Sequence, residues 1–416
     1  MQRKLWWGVA LYLAVACTDR PDASGAAPYE RAAIPQPLLR DSSGVRIIEY
    51  PTLGPAIASL VDRRPNPMEL QLNQLPPAFD IADEPYLDLG GLTSDSAEEF
   101  DARNAMLQAV TLSDGTIVAN DFTRLMYFAK DGRFLRSAGR RGNGPGEFMQ
   151  TRDLCLVEGD LVLATNFADQ RIAVFDADGK LVQAAPRPGR VPSGGCTPEG
   201  YLVVRDEGDA VVLSDSVDWL VPHRIVRLDG STVASIGSLP AKTRMGATTP
   251  YVVVHDEEIV VGNGRTFEVR VYDRAGNLRQ VSRLLRQTPP VTDAEWKARL
   301  EKMRPMGSPE AIARFRSNVL AAKPDRDPAF SQIRVDPSHR IWVSDYQSNH
   351  LWTVIDRDGF LLGRVELLGR LEARRGLAGL GRDHIAIHYR DDDGALHLAF
   401  HRMASSSPVS ASGKRR

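Results

Sequence analysis

The sequence contains few cysteines for its length. There are three in 416 residues, too few for a small scaffold held together by several disulfides. They are also too few for a structural zinc site with four thiolate ligands. The remaining composition is that of an ordinary globular protein, with 43% hydrophobic and 25% charged residues. These values exclude a disordered, collagen-like or coiled-coil chain.

An excess of charge of one sign is absent as well. The chain has 52 Lys and Arg against 53 Asp and Glu, for a formal net charge of −1. This balance gives little support to a surface that neutralises nucleic-acid phosphates, so we expect no nucleic-acid partner. The sequence also lacks a GxSxG nucleophile elbow and an HExxH zinc helix. No common catalytic motif therefore assigns a reaction.

The N-terminus is typical of an exported protein. Arg3 and Lys4 precede an apolar run from 5 to 16, which is too short to span a bilayer but fits the core of a signal peptide. Small residues lead to Cys17, and the stretch resembles a bacterial lipobox, although Ala14 stands where leucine is preferred. The resemblance implies cleavage before Cys17 and acylation of that residue. The alternative is an ordinary secretion signal followed by a chance cysteine.

These features predict the organisation of the chain. We expect a signal peptide at 1–16, a tether rich in proline and alanine at 17–40, a folded body at 41–403 and a disordered tail at 404–416. Several acyl chains on one residue give stable anchoring, so the lipid would be the only contact with the membrane. The expected location is the bacterial cell envelope, facing the periplasm or the surface. Thr18, where aspartate would favour inner-membrane retention, indicates the outer membrane.

The folded body consists of a repeated unit. Each unit has a turn, a β-branched strand, a polar break holding Asn or Asp, a second alternating strand and a closing turn that ends in glycine. The six copies, three strong and three weaker, lie at 113–132, 158–179, 199–230, 257–276, 338–359 and 381–394. Three of the five intervals between closing glycines are 46 to 51 residues, close to the length of a four-stranded propeller blade.

Six units of this kind predict an all-β fold, a six-bladed β-propeller. The competing folds are a sandwich and an open meander. The last unit lacks an outer strand, whereas 44–50 forms a spare strand ahead of the first unit. We predict that this spare strand completes the last blade and closes the ring, which would hide two strand edges.

The pattern changes to helix between 287 and 328, between blades four and five. Thr292 and Glu295 form a capping box, and apolar residues follow at helical spacing. A second helix is predicted from Ser308, with Pro309 in its first turn. Two interpretations stay open, a decorated loop between blades and a lid over the central channel, and the first is preferred.

One segment carries a family resemblance. The sequence GRRGNGPGEF at 139–148 resembles a motif of bacterial six-bladed propeller lipoproteins related to NHL-repeat proteins, and 41–47 and 328–330 are also similar to that family. The resemblance covers about 41–403 and implies the fold but no activity. A phosphate-binding role for the glycines is disfavoured, because no helix or Lys-Ser/Thr pair follows them. A sharp turn between blades is the favoured interpretation.

Two sets of residues are candidate metal ligands. The polar breaks place Asp121, Asn166, Asn263 and Asp345 at equivalent positions. Carboxylate and amide oxygens suit Ca²⁺, but Asn and Asp also satisfy turn backbone, and recurrence in every unit favours that structural role.

The second set is a group of histidines on the last blade. If 391–394 is the turn of a hairpin, His388 faces His397 and His384 faces His401. Each pair supplies only two of the three or four ligands that zinc requires. Polar packing between blades is therefore preferred. The four residues are His384, His388, His397 and His401.

Cys155 and Cys196 occupy matching places in units two and three. A disulfide between them is conceivable in an exported protein, but Thr111, Val253 and Val335 stand at the same place elsewhere. Small buried residues are therefore the favoured interpretation, with the disulfide as the alternative.

The sequence supports two functional hypotheses. The first is a lipid-anchored, monomeric binding scaffold whose loops recognise a protein, a peptide or a glycan, with no cofactor. The second is a metal-dependent hydrolase or lyase, with Ca²⁺ as the candidate ion and its site in the central channel. No catalytic residue is assigned in either case.

Overall fold

The structure is a computed structural model. It describes residues 34, 36–50, 75–91, 98–101, 107–166, 171–186, 189, 195–206, 211–212, 218–242, 251–262, 264, 266–284, 288, 290–302, 309–310, 312–313, 316–317, 323–346, 350–367 and 376–406. The predicted signal peptide, the lipidation site Cys17, the candidate ligand Asn263 and the tail beyond 406 lie outside the described residues.

Four strands precede the first complete blade: β1 (Leu38–Ser42), β2 (Val45–Tyr50), β3 (Phe79–Ile81) and β4 (Leu87–Gly90). Blade 1 contains β5 (Ala109–Thr111), β6 (Ile117–Asp121), β7 (Arg124–Phe128) and β8 (Phe134–Ala138). A parallel ladder of β9 (Arg140–Arg141) and β10 (Glu147–Phe148) follows. Blade 2 contains β11 (Thr151–Val157), β12 (Leu161–Asn166), β13 (Arg171–Phe175) and β14 (Leu181–Pro186). Blade 3 contains β15 (Leu202–Arg205), β16 (Val211–Val212), β17 (Asp218–Val226) and β18 (Thr232–Lys242).

Blade 4 contains β19 (Tyr251–His255), β20 (Glu258–Gly262), β21 (Phe267–Asp273) and β22 (Leu278–Leu284). Blade 5 contains β23 (Gln332–Val335), β24 (Ile341–Ser344), β25 (Leu351–Ile355) and β26 (Leu361–Glu366). Blade 6 contains β27 (Gly376–Leu380), β28 (His384–Arg390) and β29 (Leu396–Ser405). The strands of each blade pair antiparallel with one another, the six blades follow in sequence order, and the predicted six-bladed β-propeller is confirmed.

The blades hold together because successive residues of a strand point to opposite neighbours. On β6, Ile117 and Ala119 pack in the cluster shared with blade 6, whereas Val118 packs in the cluster shared with blade 2. The same alternation recurs on β24, where Val343 faces blade 4 and Trp342 faces blade 6. A strand with two buried faces requires apolar residues at every position, which explains the uninterrupted apolar runs in the sequence.

The ring is closed by a different N-terminal segment from the one predicted. The spare strand 44–50, which is β2, pairs in parallel with β22 and so joins blade 4, with β1 at its outer edge. The edge of β29 is covered instead by β3 and β4. The prediction that the strand 44–50 completes the last blade was therefore wrong, because alternating hydrophobicity does not specify a partner edge.

The closing turns of the repeats follow the sequence prediction. Each ends in a glycine with φ between 76° and 90°, a conformation that residues with a Cβ adopt at a cost. The six glycines are Gly132, Gly179, Gly230, Gly276, Gly359 and Gly394. The last strand continues to Ser405, two residues beyond the predicted boundary at 403, because β3 pairs with this extension.

The insertion between blades 4 and 5 is helical in part. One helix of the insertion, α1, spans Asp293–Lys302 and begins at the predicted capping box. There, Thr292 Oγ1 accepts a hydrogen bond from the backbone N–H of Glu295 at 3.2 Å. Trp296 and Leu300 pack with Val291 in a small cluster of their own. Within the described part of the chain, no helix is both long enough and apolar enough to span a bilayer.

Candidate functional site

A cavity of about 690 Å³ lies on the axis of the propeller. Its wall is formed by the innermost segments of all six blades: strands β5, β11, β19, β23 and β27, and the segment at 195–198 in blade 3. The cavity extends to the turns that follow these strands. Its size falls in the range typical of small-molecule sites, about 300–1,000 Å³. None of the described residues of the helical insertion lines it.

Arg334 on β23 brings a positive charge into this cavity. Its Nη1 lies 3.5 Å from the backbone oxygen of Ile333, and it forms no ion pair with any carboxylate of the described residues. Burial lowers the pKa of Arg334, and the charge of Asp153 on β11 opposes this shift. A guanidinium stays protonated in proteins, so the cavity wall holds a charge that has lost part of its hydration.

Three metal-ligating side chains converge beside the same cavity. His255 ends β19, Asp256 follows it in the turn to β20, and His339 lies in the turn between β23 and β24 of the adjacent blade. Asp256 Oδ2 lies 3.7 Å from His255 Nε2 and 3.2 Å from His339 Nε2. One ligand atom from each of the three residues lies within 4.8 Å of the others. His255 and Asp256 also form part of the cavity wall.

Two tight turns fix these side chains. In blade 4, His255 pairs with Glu258 across a two-residue turn in which Asp256 has φ of 49°. In blade 5, His339 has φ of 60°, and the turn around it is held by the buried carboxylate of Asp336. Asp336 Oδ1 accepts bonds from the backbone N–H groups of Ser338 at 2.9 Å and of residue 340 at 3.1 Å.

The two histidines have different surroundings. His339 Nδ1 lies 3.0 Å from Glu258 Oε2, a hydrogen bond that orients its ring. His255 Nε2 is buried and has no hydrogen-bond partner among the described residues. Burial lowers the pKa of His255, a shift opposed by the charge of Asp256 and assisted by that of His339. The neutral imidazole, which is the form that binds metals, is therefore favoured at His255.

This cluster was not predicted from the sequence, although a signal was present. In units one and two, small or acidic residues stand where the first strand passes into its turn. In units four and five, His255 and His339 stand at that place. A site that departs from the repeat pattern in two adjacent units is a better functional candidate than one that follows the pattern. The two turns meet only because the blades are neighbours.

The two matching cysteines form a disulfide. Cys155 on β11 and Cys196 in blade 3 are bonded, with their Cα atoms 5.8 Å apart. The preference for two separate small buried residues was therefore wrong, since equivalent places on adjacent blades are also neighbours in space. The bond lies in the cavity wall.

Asp121 and Asn166, two of the predicted polar breaks, accept hydrogen bonds from neighbouring backbone N–H groups. Asp121 accepts a bond from the N–H of Asp101 at 2.5 Å and pairs with Arg124 at 2.8 Å, and burial raises its pKa. Asn166 Oδ1 accepts from the N–H of Gln150 at 3.2 Å, and Asp345 is buried at the same place in blade 5. These three lie at the end of each second strand, opposite the turns that carry the histidine cluster, and outside the cavity wall.

The histidines of the last blade do not pair as predicted. His388 faces Leu398 and His384 faces Arg402, because the turn between β28 and β29 holds five residues, with the N–H of Asp391 donating to the carbonyl oxygen of Ala395. The prediction placed four residues in this turn, and a slip of one residue reverses the face of every side chain on a strand.

The same four histidines have separate partners in the structure. His388 Nδ1 lies 3.3 Å from the backbone oxygen of Leu107, and His401 Nδ1 lies 2.9 Å from that of Ala82. His397 lies between two carboxylates, and His384 Nδ1 is 3.0 Å from a carboxylate oxygen of Asp383. These contacts are polar packing between strands.

The glycine-rich segment 139–148 connects blades 1 and 2. Glu147 accepts a bond from the N–H of Gly144 at 2.9 Å and pairs with Arg140 at 2.7 Å. Its carboxylate lies against Gly142, where an added Cβ would clash with it. Phe148 is buried between the blades. The segment is built as a structural turn, in agreement with the favoured interpretation.

Comparisons with known proteins agree with this architecture. The model of the family DUF5128, described as a 6-bladed beta-propeller, matches residues 106–189. This match covers all the strands of blades 1 and 2 and the segment 139–148. No curated protein is significantly similar to the chain.

Solved structures of other propellers are similar at low sequence identity. A protein of Bacteroides fragilis described as exported has a TM-score of 0.52 and 12% identity, covering 86% of this chain and 100% of its own. A member of the duf4221 family from Bacteroides vulgatus has a TM-score of 0.47 and 10% identity, covering 79% and 99%. A gluconolactonase from Xanthomonas campestris has a TM-score of 0.38 and 13% identity, covering 79% and 99%. The first of these shows a shared fold.

Proposed function

We propose that this protein is an exported binding propeller that holds the anionic group of a ligand in its central cavity. The observation that carries the proposal is Arg334, a cavity-lining guanidinium without an ion pair among the described residues. A partly desolvated charge is costly without a counter-ion. A carboxylate supplies one through two parallel hydrogen bonds.

The size of the cavity limits the ligand. A volume of about 690 Å³ accommodates one or two sugar units or the last residues of a peptide, not a folded partner. Among the scaffold ligands considered from the sequence, the cavity therefore favours an acidic glycan or a peptide with a free carboxyl end. Both present the same chemistry, a carboxylate on a small polar body.

Matched pairs of ligands test this assignment. We expect digalacturonate and a short peptide acid to raise the thermal midpoint of the full chain by binding only the folded state, one of them more than the other. The neutral partners, the methyl ester and the peptide amide, are expected to have no effect. Arg334→Gln is expected to weaken binding at least ~30-fold, the effect of removing one member of a buried charge pair.

Arg382→Gln is the matched control, since Arg382 lies at the exposed rim of the same cavity. It is expected to change the affinity by less than about threefold, as is usual for a rim charge. If a carboxylate ligand bound the Arg334→Gln protein as tightly as the wild type, or if neither acid bound the wild type, the proposal would be contradicted.

We also propose that the protein is lipid-anchored through Cys17 and faces the periplasm or the cell surface, with the outer membrane as its membrane. The lipobox-like sequence before Cys17 supports this location. The Cys155–Cys196 disulfide supports it too, because structural disulfides persist in oxidising compartments. The structural neighbour described as exported agrees with it.

Lipid attachment is testable by metabolic labelling. In a bacterial host fed a labelled fatty acid, the wild-type chain is expected to carry the label and to fractionate with membranes. Cys17→Ser is expected to lose the label and the membrane association, because no acyl chain remains to anchor the protein. The matched controls Cys155→Ser and Cys196→Ser should keep the label. A Cys17→Ser protein that is still labelled would contradict the proposal.

A metal-dependent hydrolase or lyase is the second candidate function. The observation that favours it is the cluster of His255, Asp256 and His339, two of which line the cavity. Three protein ligands with an open position are typical of catalytic zinc sites. This candidate stands only if the cluster binds a metal.

A further inference from the structure

The cluster of His255, Asp256 and His339 has the composition of a transition-metal site. It offers two imidazole nitrogens and one carboxylate oxygen from two turns of adjacent blades. We propose that these three residues bind one divalent transition-metal ion at the edge of the central cavity. The site does not depend on anion binding at Arg334, which contributes none of its ligands.

The distances between the ligand atoms fit a single ion. Zinc bonds of about 2.0–2.1 Å in tetrahedral geometry place two ligand atoms about 3.3 Å apart. Asp256 Oδ2 lies 3.2 Å from His339 Nε2 and 3.7 Å from His255 Nε2. Both distances lie within about 0.4 Å of this value, and all three ligand atoms lie within 4.8 Å of one another.

A hydrogen-bonded carboxylate behind a ligand histidine is a second feature of metal sites. Glu258 Oε2 lies 3.0 Å from Nδ1 of His339, so that Nε2 points to the cluster. Metal-bound histidines commonly donate their other ring N–H to a carboxylate, which fixes both tautomer and orientation. Glu258 itself is positioned by its pairing with His255 across the turn.

The unsatisfied nitrogen of His255 is the independent observation. Buried polar atoms in folded proteins are nearly always bonded, and one that is not requires an explanation. His255 Nε2 is buried, lacks a hydrogen-bond partner among the described residues and lies on the Asp256 side of its ring. A metal ion at the centre of the cluster would satisfy it.

The ligand chemistry selects the class of metal. Imidazole nitrogen suits zinc, copper, nickel, cobalt and iron, whereas Ca²⁺ and Mg²⁺ prefer oxygen ligands. Three protein ligands leave at least one coordination position open, as in zinc hydrolases. Because His255 and Asp256 form part of the cavity wall, that position would be accessible to a cavity ligand.

Metal titration of the full chain, purified without a histidine tag and treated with EDTA, tests the proposal. We expect one Zn²⁺ per chain by calorimetry, a higher thermal midpoint with Zn²⁺, and visible absorption bands of protein-bound Co²⁺. Ca²⁺ is expected to give none of these effects. His255→Ala and His339→Ala are each expected to weaken Zn²⁺ binding by roughly 100-fold or more, and Glu258→Gln by about 10- to 100-fold.

His384→Ala and Arg382→Gln are the matched controls, since both residues line the cavity outside the cluster. Both should bind Zn²⁺ as the wild type does, and circular dichroism would verify that every variant is folded. Three outcomes would overturn the site: no stoichiometric Zn²⁺, equal affinity in His255→Ala and wild type, or Zn²⁺ binding lost in His384→Ala. Anion binding that survives any of these would leave the proposed function intact.

Discussion

Removing the disulfide between Cys155 and Cys196 is expected to lower the free energy of unfolding by about 4 kcal/mol, because the bond closes a loop with a sequence separation of 41. In the unfolded chain this cross-link restricts the conformations of the loop, and its loss returns that entropy. For a chain of this length the expected fall in thermal midpoint is on the order of 5 °C.

Removing the disulfide also weakens packing in the folded state. Both cysteines are buried in a cluster that joins blades 2 and 3, with Leu163 and Val204 among their neighbours. Replacing them by two alanines removes the sulfur atoms from this contact and leaves a void, which adds to the entropic effect. The innermost segments of blades 2 and 3 also form part of the cavity wall, so a looser contact there should weaken cavity ligands.

The measurement is thermal and urea unfolding of the full chain as the double variant Cys155→Ala/Cys196→Ala. Cys17→Ser is the matched control, since it removes the third cysteine and leaves the bond intact. Wild-type protein treated with a small thiol reductant should behave like the double variant. Unchanged stability in the double variant would show that the cross-link is not structural.

Trp342→Ala is expected to lower the free energy of unfolding by about 3–5 kcal/mol, the range typical of truncating a large buried aromatic side chain. Trp342 on β24 is fully buried between blades 5 and 6, and its ring stacks on Phe79 with centroids 5.7 Å apart. Its Nε1–H donates to Asp336 Oδ2 at 2.9 Å. The alanine variant therefore loses packing on two blades and a hydrogen bond to a buried carboxylate.

The loss of the Trp342 side chain should also loosen the turn that carries His339. Asp336 also accepts bonds from the backbone of that turn, and without the indole its carboxylate has one donor fewer. Trp342→Phe is the matched control, because it keeps most of the aromatic volume and removes the indole N–H. We expect it to lower the free energy of unfolding by about 1–3 kcal/mol, because a buried acceptor loses one hydrogen-bond donor.

Urea unfolding of the wild type, Trp342→Ala and Trp342→Phe measures the difference in their free energies of unfolding. A phenylalanine variant as unstable as the alanine variant would mean that the hydrogen bond, not the packing, dominates at this position. An alanine variant as stable as the wild type would contradict the packing described between blades 5 and 6.

Much of the fold could be predicted from the sequence because each propeller blade is formed by residues that are close together in the chain. The spacing of Gly132, Gly179 and Gly230 predicts the blades, since each turn and its flanking strands lie within about 50 residues. Thr292 and Glu295 predict a helix start for the same reason, as a capping box joins residues three apart. Period-two alternation gives the strands, and continuous apolar runs indicate that both faces are buried.

What the sequence alone did not determine is which parts meet. It identified a spare strand at 44–50, but the strand pairs with β22 because sheet edges accept any chain with free N–H and C=O groups. It predicted the wrong partners for His388 and His384, because the length of the turn sets the register and a single residue reverses the face.

The candidate site depended on the tertiary structure for the same reason. His255 and His339 are far apart in the chain, and the disulfide partners are separated by 41 residues. The sequence determined the blade, its turns and the residue types that each turn carries, since these depend on contacts within one unit. Ring closure decided which turns become neighbours, and with them the cavity charge of Arg334, the disulfide and the metal-ligating cluster.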